Sequence, residues 1–247
     1  MSLERWLFRS LICALLVIPF SSVLALVVIL VSFFSRRQGP TAIMRFWARL
    51  LLQMYGVRLE IHGMEHVSPG NPCIYMANHA SMVDIPVIIA ALPVDLRFIF
   101  KKSLLFIPFV GQAIYLMGMI PIDRSARAKA RDSLRRAGQR IREGKHILIF
   151  PEGTRTRDGS LQSFKKGGFY LAQEESIDIQ PLTVNHSQKI CGRSSMLARK
   201  GTIEVIIHPR INTADFKKDR LKLMNEVRGI IESVLEKSDP ATIEGRG

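Results

Sequence analysis

Cysteine is scarce in this chain, and the three present, Cys13, Cys73 and Cys191, lie far apart with no Cys-x-x-Cys pair. An odd, scattered set supplies neither a disulfide framework nor metal-ligand spacing, which points to a reduced, cytoplasm-facing domain. The six histidines form no His-Glu-x-x-His motif and no Cys/His cluster, so no metal and no other cofactor is expected. Acidic residues are also short: 21 Asp and Glu face 35 Lys and Arg, leaving a net charge of +14 and a pI near 10.2. That excess requires an anionic partner, whether nucleic acid, a phospholipid surface or an acidic substrate carrier. No internal repeat or low-complexity block is present. With 47% hydrophobic residues over 247 positions, disorder is excluded and one catalytic domain with a sizeable core is expected.

Charge is missing altogether from residues 10–35, a run bracketed by Arg9 on one side and by Arg36 and Arg37 on the other. At about 1.5 Å per residue, a helix there exceeds the roughly 30 Å hydrocarbon core of a bilayer. A secretory leader has a shorter apolar region followed by a small-residue cleavage site, so membrane contact is the expectation. Pro19 lies inside the run and favours a kink. After Gln38-Gly39-Pro40, a second apolar stretch over 42–55 carries Arg45 and Arg49 on one face, which suits an interfacial helix with cations at the headgroups. The pair fits either a simple span or an anchor held in one leaflet. Residues 1–55 are therefore read as membrane-anchoring helices and 56–240 as an α/β domain. The tail 241–247, ending Ile-Glu-Gly-Arg-Gly, reads as an appended protease-recognition linker.

Beyond Gly56, short apolar runs alternate with helical stretches. Strands are predicted at 57–62, 73–77, 96–100, 146–150, 177–184 and 202–208, and helices at 85–92, 126–143 and 215–237. The last helix is expected to bury Leu221, Met224, Val227, Ile231, Val234 and Leu235. This alternation predicts an α/β fold with a mixed, largely parallel sheet flanked by helices.

Two constellations follow predicted strands, where α/β sheets commonly hold ligands. In Asn78-His79-Ala80-Ser81-Met82-Val83-Asp84, His79 and Asp84 stand about 140° apart on a regular helix, so only a loop turning into a helix can join them. An aspartate there would hold the imidazole in one tautomer and leave the other nitrogen to take a proton from a hydroxyl, of Ser81 or of a substrate. The competing reading has Asp84 capping the helix and His79 satisfying a loop carbonyl. In Phe150-Pro151-Glu152-Gly153-Thr154-Arg155, Gly153 allows a tight turn and Arg155, with Arg157, offers a fork for phosphate. Glu152 would orient an arginine or a substrate hydroxyl; alone, the segment also reads as a solvated turn.

Between them, Lys101, Lys102 and Arg124 border an apolar segment. They would hold a headgroup phosphate or snorkel from a membrane-facing helix. The basic run from Arg127 to Lys145 lacks a nucleic-acid motif, so it is a solvated face or a dock for an acidic acyl carrier or an anionic membrane.

In this order and spacing, Asn-His-Ala-Ser-Met-Val-Asp, Lys-Lys-Ser-Leu through Ile-Pro-Phe-Val-Gly at 101–111, Ile122-Asp123-Arg124 and Phe-Pro-Glu-Gly-Thr-Arg resemble the lysophosphatidic acid acyltransferase family. Pro181 fits its weaker fourth block, and the resemblance covers about 57–210. It implies a glycerolipid acyltransferase-like fold with His79 as general base and Asp84 as its orienting partner. Lys101, Arg124, Glu152, Gly153, Thr154 and Arg155 would form the lysophosphatidate site. The reaction implied moves an acyl group from acyl carrier protein or CoA to the sn-2 hydroxyl, giving phosphatidic acid at the cytoplasmic face of the inner membrane. Ser103 stands where the family often has Glu, which removes any carboxylate role there, and Thr156 where Ser is common. Rival acceptors are glycerol 3-phosphate and other lysophospholipids. A thioester hydrolase and a non-catalytic membrane-binding module are the remaining alternatives.

Overall fold

The structure, a computed structural model, describes residues 3–34, 39–123, 127–156, 158–192, 198–216 and 219–236. Seven strands form one sheet: β1 (Val57–His62), β2 (Ile74–Ala77), β3 (Leu96–Lys101), β4 (Ile120–Ile122), β5 (His146–Ile149), β6 (Ile179–Asn185) and β7 (Gly201–Ile207). Their order is β1-β7-β6-β2-β5-β3-β4, and every neighbouring pair is parallel except β6 with β7. The helices are α1 (Leu3–Phe34), α2 (Gly39–Tyr55), α3 (Asp84–Ala91), α4 (Val110–Leu116), α5 (Arg127–Arg142), α6 (Gly167–Glu174), α7 (Ser187–Ile190) and α8 (Arg220–Ser233).

The central strands β2 and β5 are buried along their whole length, as unbroken apolar runs must be when both sheet faces are covered. Tyr75 and Leu148 face a core shared with α2 and α3. Ile74, Met76, Ile147 and Ile149 face a second core built with α5, α6 and α8. Edge strand β1 instead alternates between sheltered and exposed side chains.

The mixed sheet and the predicted strands are present. The sequence reading missed β4, α4, α6 and α7. Strand β4 has three residues, one of them Pro121, within a charge-free stretch that shows no period. Helix α6 starts with Gly167-Gly168, a loop signal, yet a Cβ on Gly168 would stand 3.2 Å from Ile149 and Met76. The small residue lets the helix press on the sheet. The expected stripe of α8 also needs correcting: Leu223, Val227 and Ile231 are fully buried, while Leu221 is 60% and Val234 38% exposed. Six residues of helix put Leu221 about 120° from Val227, off the buried face.

Helix α1 is one 32-residue element with Pro19 inside it. It lies along the domain: Val17 joins the core of Met44 and Ala48, the Trp47 indole donates to Ser21 Oγ at 3.0 Å, and Ala25 and Val28 pack on Ala113 of α4. Only 17% of the apolar window Leu15–Ser32 is buried. Helix α2 gives Met44, Ala48, Leu51, Leu52 and Tyr55 to the sheet's own core, so the boundary expected at residue 55 falls between elements that pack together. Arg45, expected at the headgroups, donates to the Val94 carbonyl at 3.1 Å instead, because its turn of α2 faces the loop before β3. Arg49 is exposed. Arg36, Arg37 and the tail 241–247 lie outside the described residues.

Candidate active site

Parallel pairing lines up the C-terminal ends of β2, β5, β3 and β4. Met76 pairs with Ile149, and Lys101 with Ile122. The segments after Ala77, Ile149, Lys101 and Ile122 therefore leave one edge of the sheet side by side, about 4.8 Å per strand. The described residues of all four sequence blocks start from that edge. On the other flank of β2, the Asn78 side chain accepts from the Val184 N–H at 2.8 Å and donates to its carbonyl at 2.9 Å. That pairing extends the β2–β6 ladder by one amide.

The chain after Asn78 turns through Ser81 to Val83 into α3, and this turn brings Asp84 back over the loop. Asp84 is fully buried, and its Oδ2 accepts from His79 Nδ1 at 2.7 Å and from the Ala80 and Ser81 N–H groups at 2.8 Å each. Val83, not Asp84, holds the cap position of α3, with no side-chain bond. The capping alternative is thereby excluded: the carboxylate serves the loop before the helix. With Nδ1–H donated to Asp84, the neutral imidazole presents Nε2 as its proton acceptor. The ring stacks on Phe150, centroids 3.9 Å apart at 17°, which fixes its plane. Its side chain keeps 15% exposure, so it remains reachable.

Ser81 is fully buried. Its hydroxyl donates to the Cys191 carbonyl at 2.5 Å and accepts from the Val83 N–H at 3.3 Å. It is a structural pin for the turn.

Glu152 is 2% exposed. Its Oε1 accepts from the His79 N–H at 2.7 Å and its Oε2 from the Gln162 N–H at 2.9 Å. Burial pushes its pKa up to about 7, against the pull of these two backbone donors. Sequence reasoning placed Glu152 among substrate contacts; here both oxygens bridge two loops. The turn closes with a Gly153 N–H to Phe150 carbonyl bond of 3.0 Å, and Gly153 sits at φ 74°, where a side chain is strained. Thr154 is exposed and Arg155 half-buried in the same turn. Lys101 is exposed at the end of β3, and Arg124, next after Asp123, lies outside the described residues.

Two contributors escaped the sequence reading. Phe150 looked like the end of a strand, not a platform for His79. Arg228 of α8 gave no signal; its guanidinium donates to the Gln162 and Leu161 carbonyls at 2.7 and 2.9 Å and lies 5.6 Å from the Phe164 ring. Among the described residues, His186, Glu204 and Glu236 bring ligand atoms within 4.8 Å of one another. The same side chains also form His62–Glu204 and His186–Glu236 pairs of 3.4 and 3.5 Å.

A His–Asp dyad at the strand ends of a mixed α/β sheet, behind an apolar helix, is the arrangement that the resemblance to the acyltransferases implied. Residues 58–185 match the Acyltransferase family, and the chain belongs to it. It is 33% identical over 178 residues to a chloroplastic 1-acyl-sn-glycerol-3-phosphate acyltransferase of Brassica napus, covering 71% of this chain and 51% of that protein. To the alpha enzyme of that name from Ovis aries it is 30% identical over 207 residues, covering 83% and 71%. The chain spans about half the length of the Brassica relative and of a similar Arabidopsis thaliana protein. Its fold matches the 1-acyl-sn-glycerophosphate acyltransferase PlsC of Thermotoga maritima with a TM-score of 0.82 and 21% identity, covering 95% of this chain and 97% of that one.

Proposed function

We propose that the protein transfers an acyl group from an acyl thioester to the sn-2 hydroxyl of lysophosphatidic acid, forming phosphatidic acid. The observation that carries this is the 2.7 Å His79–Asp84 bond beside a Ser81 hydroxyl committed elsewhere. With no free serine in the turn, the hydroxyl that His79 activates belongs to the substrate. The names of the relatives supply the acceptor. His79 Nε2 takes the hydroxyl proton as that oxygen attacks the thioester carbonyl. Collapse of the tetrahedral intermediate breaks the C–S bond, and the departing thiolate takes the proton back from the imidazolium. No covalent acyl-enzyme and no cofactor is needed.

Lys101, Arg124, Thr154 and Arg155 would hold the acceptor phosphate, converting an encounter into an oriented reaction. Glu152 and Gly153 would shape the turn that presents them. The donor is acyl carrier protein or CoA, and the domain would sit at the cytoplasmic face of the inner membrane. The attachment of α1 to α2 and α4 from Val17 to Val28 favours an anchor lying in one leaflet, since a perpendicular span would drag the packed domain into the hydrocarbon.

The test measures diacyl phosphate product from lysophosphatidate and a long-chain acyl thioester, using wild type, His79→Ala and Asp84→Asn in detergent. Product from wild type and near-complete loss in both variants is expected. Full activity of His79→Ala would remove the proposed base. Product only from glycerol 3-phosphate or another lysophospholipid would reassign the acceptor.

A further inference from the structure

We propose that the segment 102–116, which leaves β3 at the edge of the candidate site, is a second membrane-inserting element that docks the site's mouth onto an anionic phospholipid bilayer. The proposal rests on the membrane reading of α1 and adds to it a contact on a different part of the chain.

From Ser103 to Ile122 there is no charged residue. The segment nevertheless exposes its large side chains: Phe106 is 80% exposed, Phe109 48%, Tyr115 57% and Leu116 49%. Patches of this kind on a monomer mark a membrane or protein partner.

The segment is also folded against local preference. Phe109 sits at φ 61° and ψ −49°, and the Val110 N–H donates to the Pro108 carbonyl at 2.7 Å. This is a γ-turn of the positive-φ kind, which is rare and strained for any residue with a side chain. Glycine would relieve it. A half-exposed aromatic residue is held instead, so burial of its ring offsets the strain only in part. The turn is closed tightly from within: a Cβ on Gly111 would fall 2.2 Å from the Leu105 carbonyl oxygen. Such a knuckle is preorganised to present Phe106 and Phe109.

Two observations identify lipid as what covers it. The knuckle is continuous with α1, because Ala25 and Val28 pack on Ala113, so an α1 immersed in a leaflet holds the knuckle at the same surface. At its base stand the exposed Lys101 and Lys102, placed for attraction to anionic headgroups. Strand β3 pairs with β5, whose end carries Phe150 under the His79 ring, so the docked surface meets the site at headgroup depth.

The experiment places nitroxide labels one at a time on the full chain in phosphatidylcholine–phosphatidylglycerol vesicles and compares collision rates with oxygen and with a water-soluble nickel chelate. Cys73 and Cys191 are buried, and the background carries Cys13→Ser. Label sites are Phe106→Cys and Tyr115→Cys on the knuckle, Leu26→Cys on α1, and Leu221→Cys on α8 as an aqueous reference. The knuckle labels are expected to follow the α1 label, gaining oxygen and losing nickel collisions relative to the reference. If they follow the reference while the α1 label lies in lipid, the knuckle proposal fails and the anchor stands. If the α1 label also follows the reference, the membrane reading fails with it. Protection from both quenchers would mean that a second protein surface covers the knuckle, which likewise overturns the proposal.

Discussion

A histidine meets each end of β2. At the C-terminal end, His79 gives Nδ1–H to a buried carboxylate, lies flat on Phe150 and keeps 15% of its side chain exposed. At the N-terminal end, His146 is fully buried; its Nδ1 accepts from the Cys73 N–H at 3.3 Å and its Nε2–H donates to the Pro69 carbonyl at 3.1 Å. The two rings thus hold opposite tautomers. Burial lowers the pKa of His146 and keeps it neutral, and it raises the neighbouring Cys73 thiol to about 12. An imidazole whose nitrogens are both spent on backbone is a strut. The same ring with one nitrogen on a carboxylate and one open can move a proton.

The sharpest way to break this contrast is to truncate both rings. His79→Ala is expected to lower kcat/KM by roughly 10²–10⁴-fold, the range of general acid–base catalysis, with little change in thermal midpoint. His146→Ala is expected to do the reverse, costing about 2–3 kcal/mol of stability from a void and orphaned backbone groups while activity per folded molecule persists. Equal losses of activity in the two would sink the assignment. Asp84→Asn comes next, with a loss of similar order to His79→Ala. An amide at that position can turn its NH₂ toward the ring and favour the wrong tautomer, and three donors converge on Oδ2 as it stands. Imidazole chemical shifts would show whether the tautomer has changed.

How much of this was legible follows from where each signal lies. Strands β2 and β5 were readable because fully buried parallel strands are short apolar runs between loops. The His79–Asp84 pair was visible as a spacing, but whether it closed depended on a turn at 81–83 that spacing does not encode. The roles of Ser81 and Glu152 were hidden for the same reason. Ser81 is spent on Cys191, 110 positions away, and Glu152 on a Gln162 amide in a loop with no pattern. Strand β4 was too short to show a period. Val227 and Ile231 of the α8 stripe were legible and are buried, but Leu221 and Leu223 look alike in sequence, and only packing selects between them.

A smaller effect, in pH rather than rate, tests Glu152. Its folded pKa of about 7 lies above the ordinary 4.5, so the folded state binds the proton more tightly than the unfolded one. The stabilising contribution is then fully present below pH about 4.5 and is lost as the pH rises through about 7. It is on the order of 3 kcal/mol. Glu152→Gln is expected to flatten this fall while losing about 1–3 kcal/mol outright, because its NH₂ must face one of the two backbone donors. Thermal midpoints from about pH 5 to pH 8 check it: parallel curves for the two proteins would show that Glu152 does not titrate there.

The smallest expected change is at Arg228, and it separates bracing from charge. The guanidinium grips the 161–162 carbonyls, Gln162 donates to Glu152, and Glu152 accepts from the His79 amide, so α8 is linked to the dyad by three hydrogen-bonded steps. Its charge also draws the Glu152 pKa down, though less than the backbone donors do. Arg228→Ala should therefore cost about 1–2 kcal/mol, lower kcat several-fold, and shift the Glu152 pH window upward. Arg228→Lys keeps the charge but cannot span both carbonyls, so it should restore the pH window more than the rate. If both variants lower the midpoint but leave the window and kcat where they are, α8 only stabilises the fold, and the link to His79 ends at the 161–162 loop.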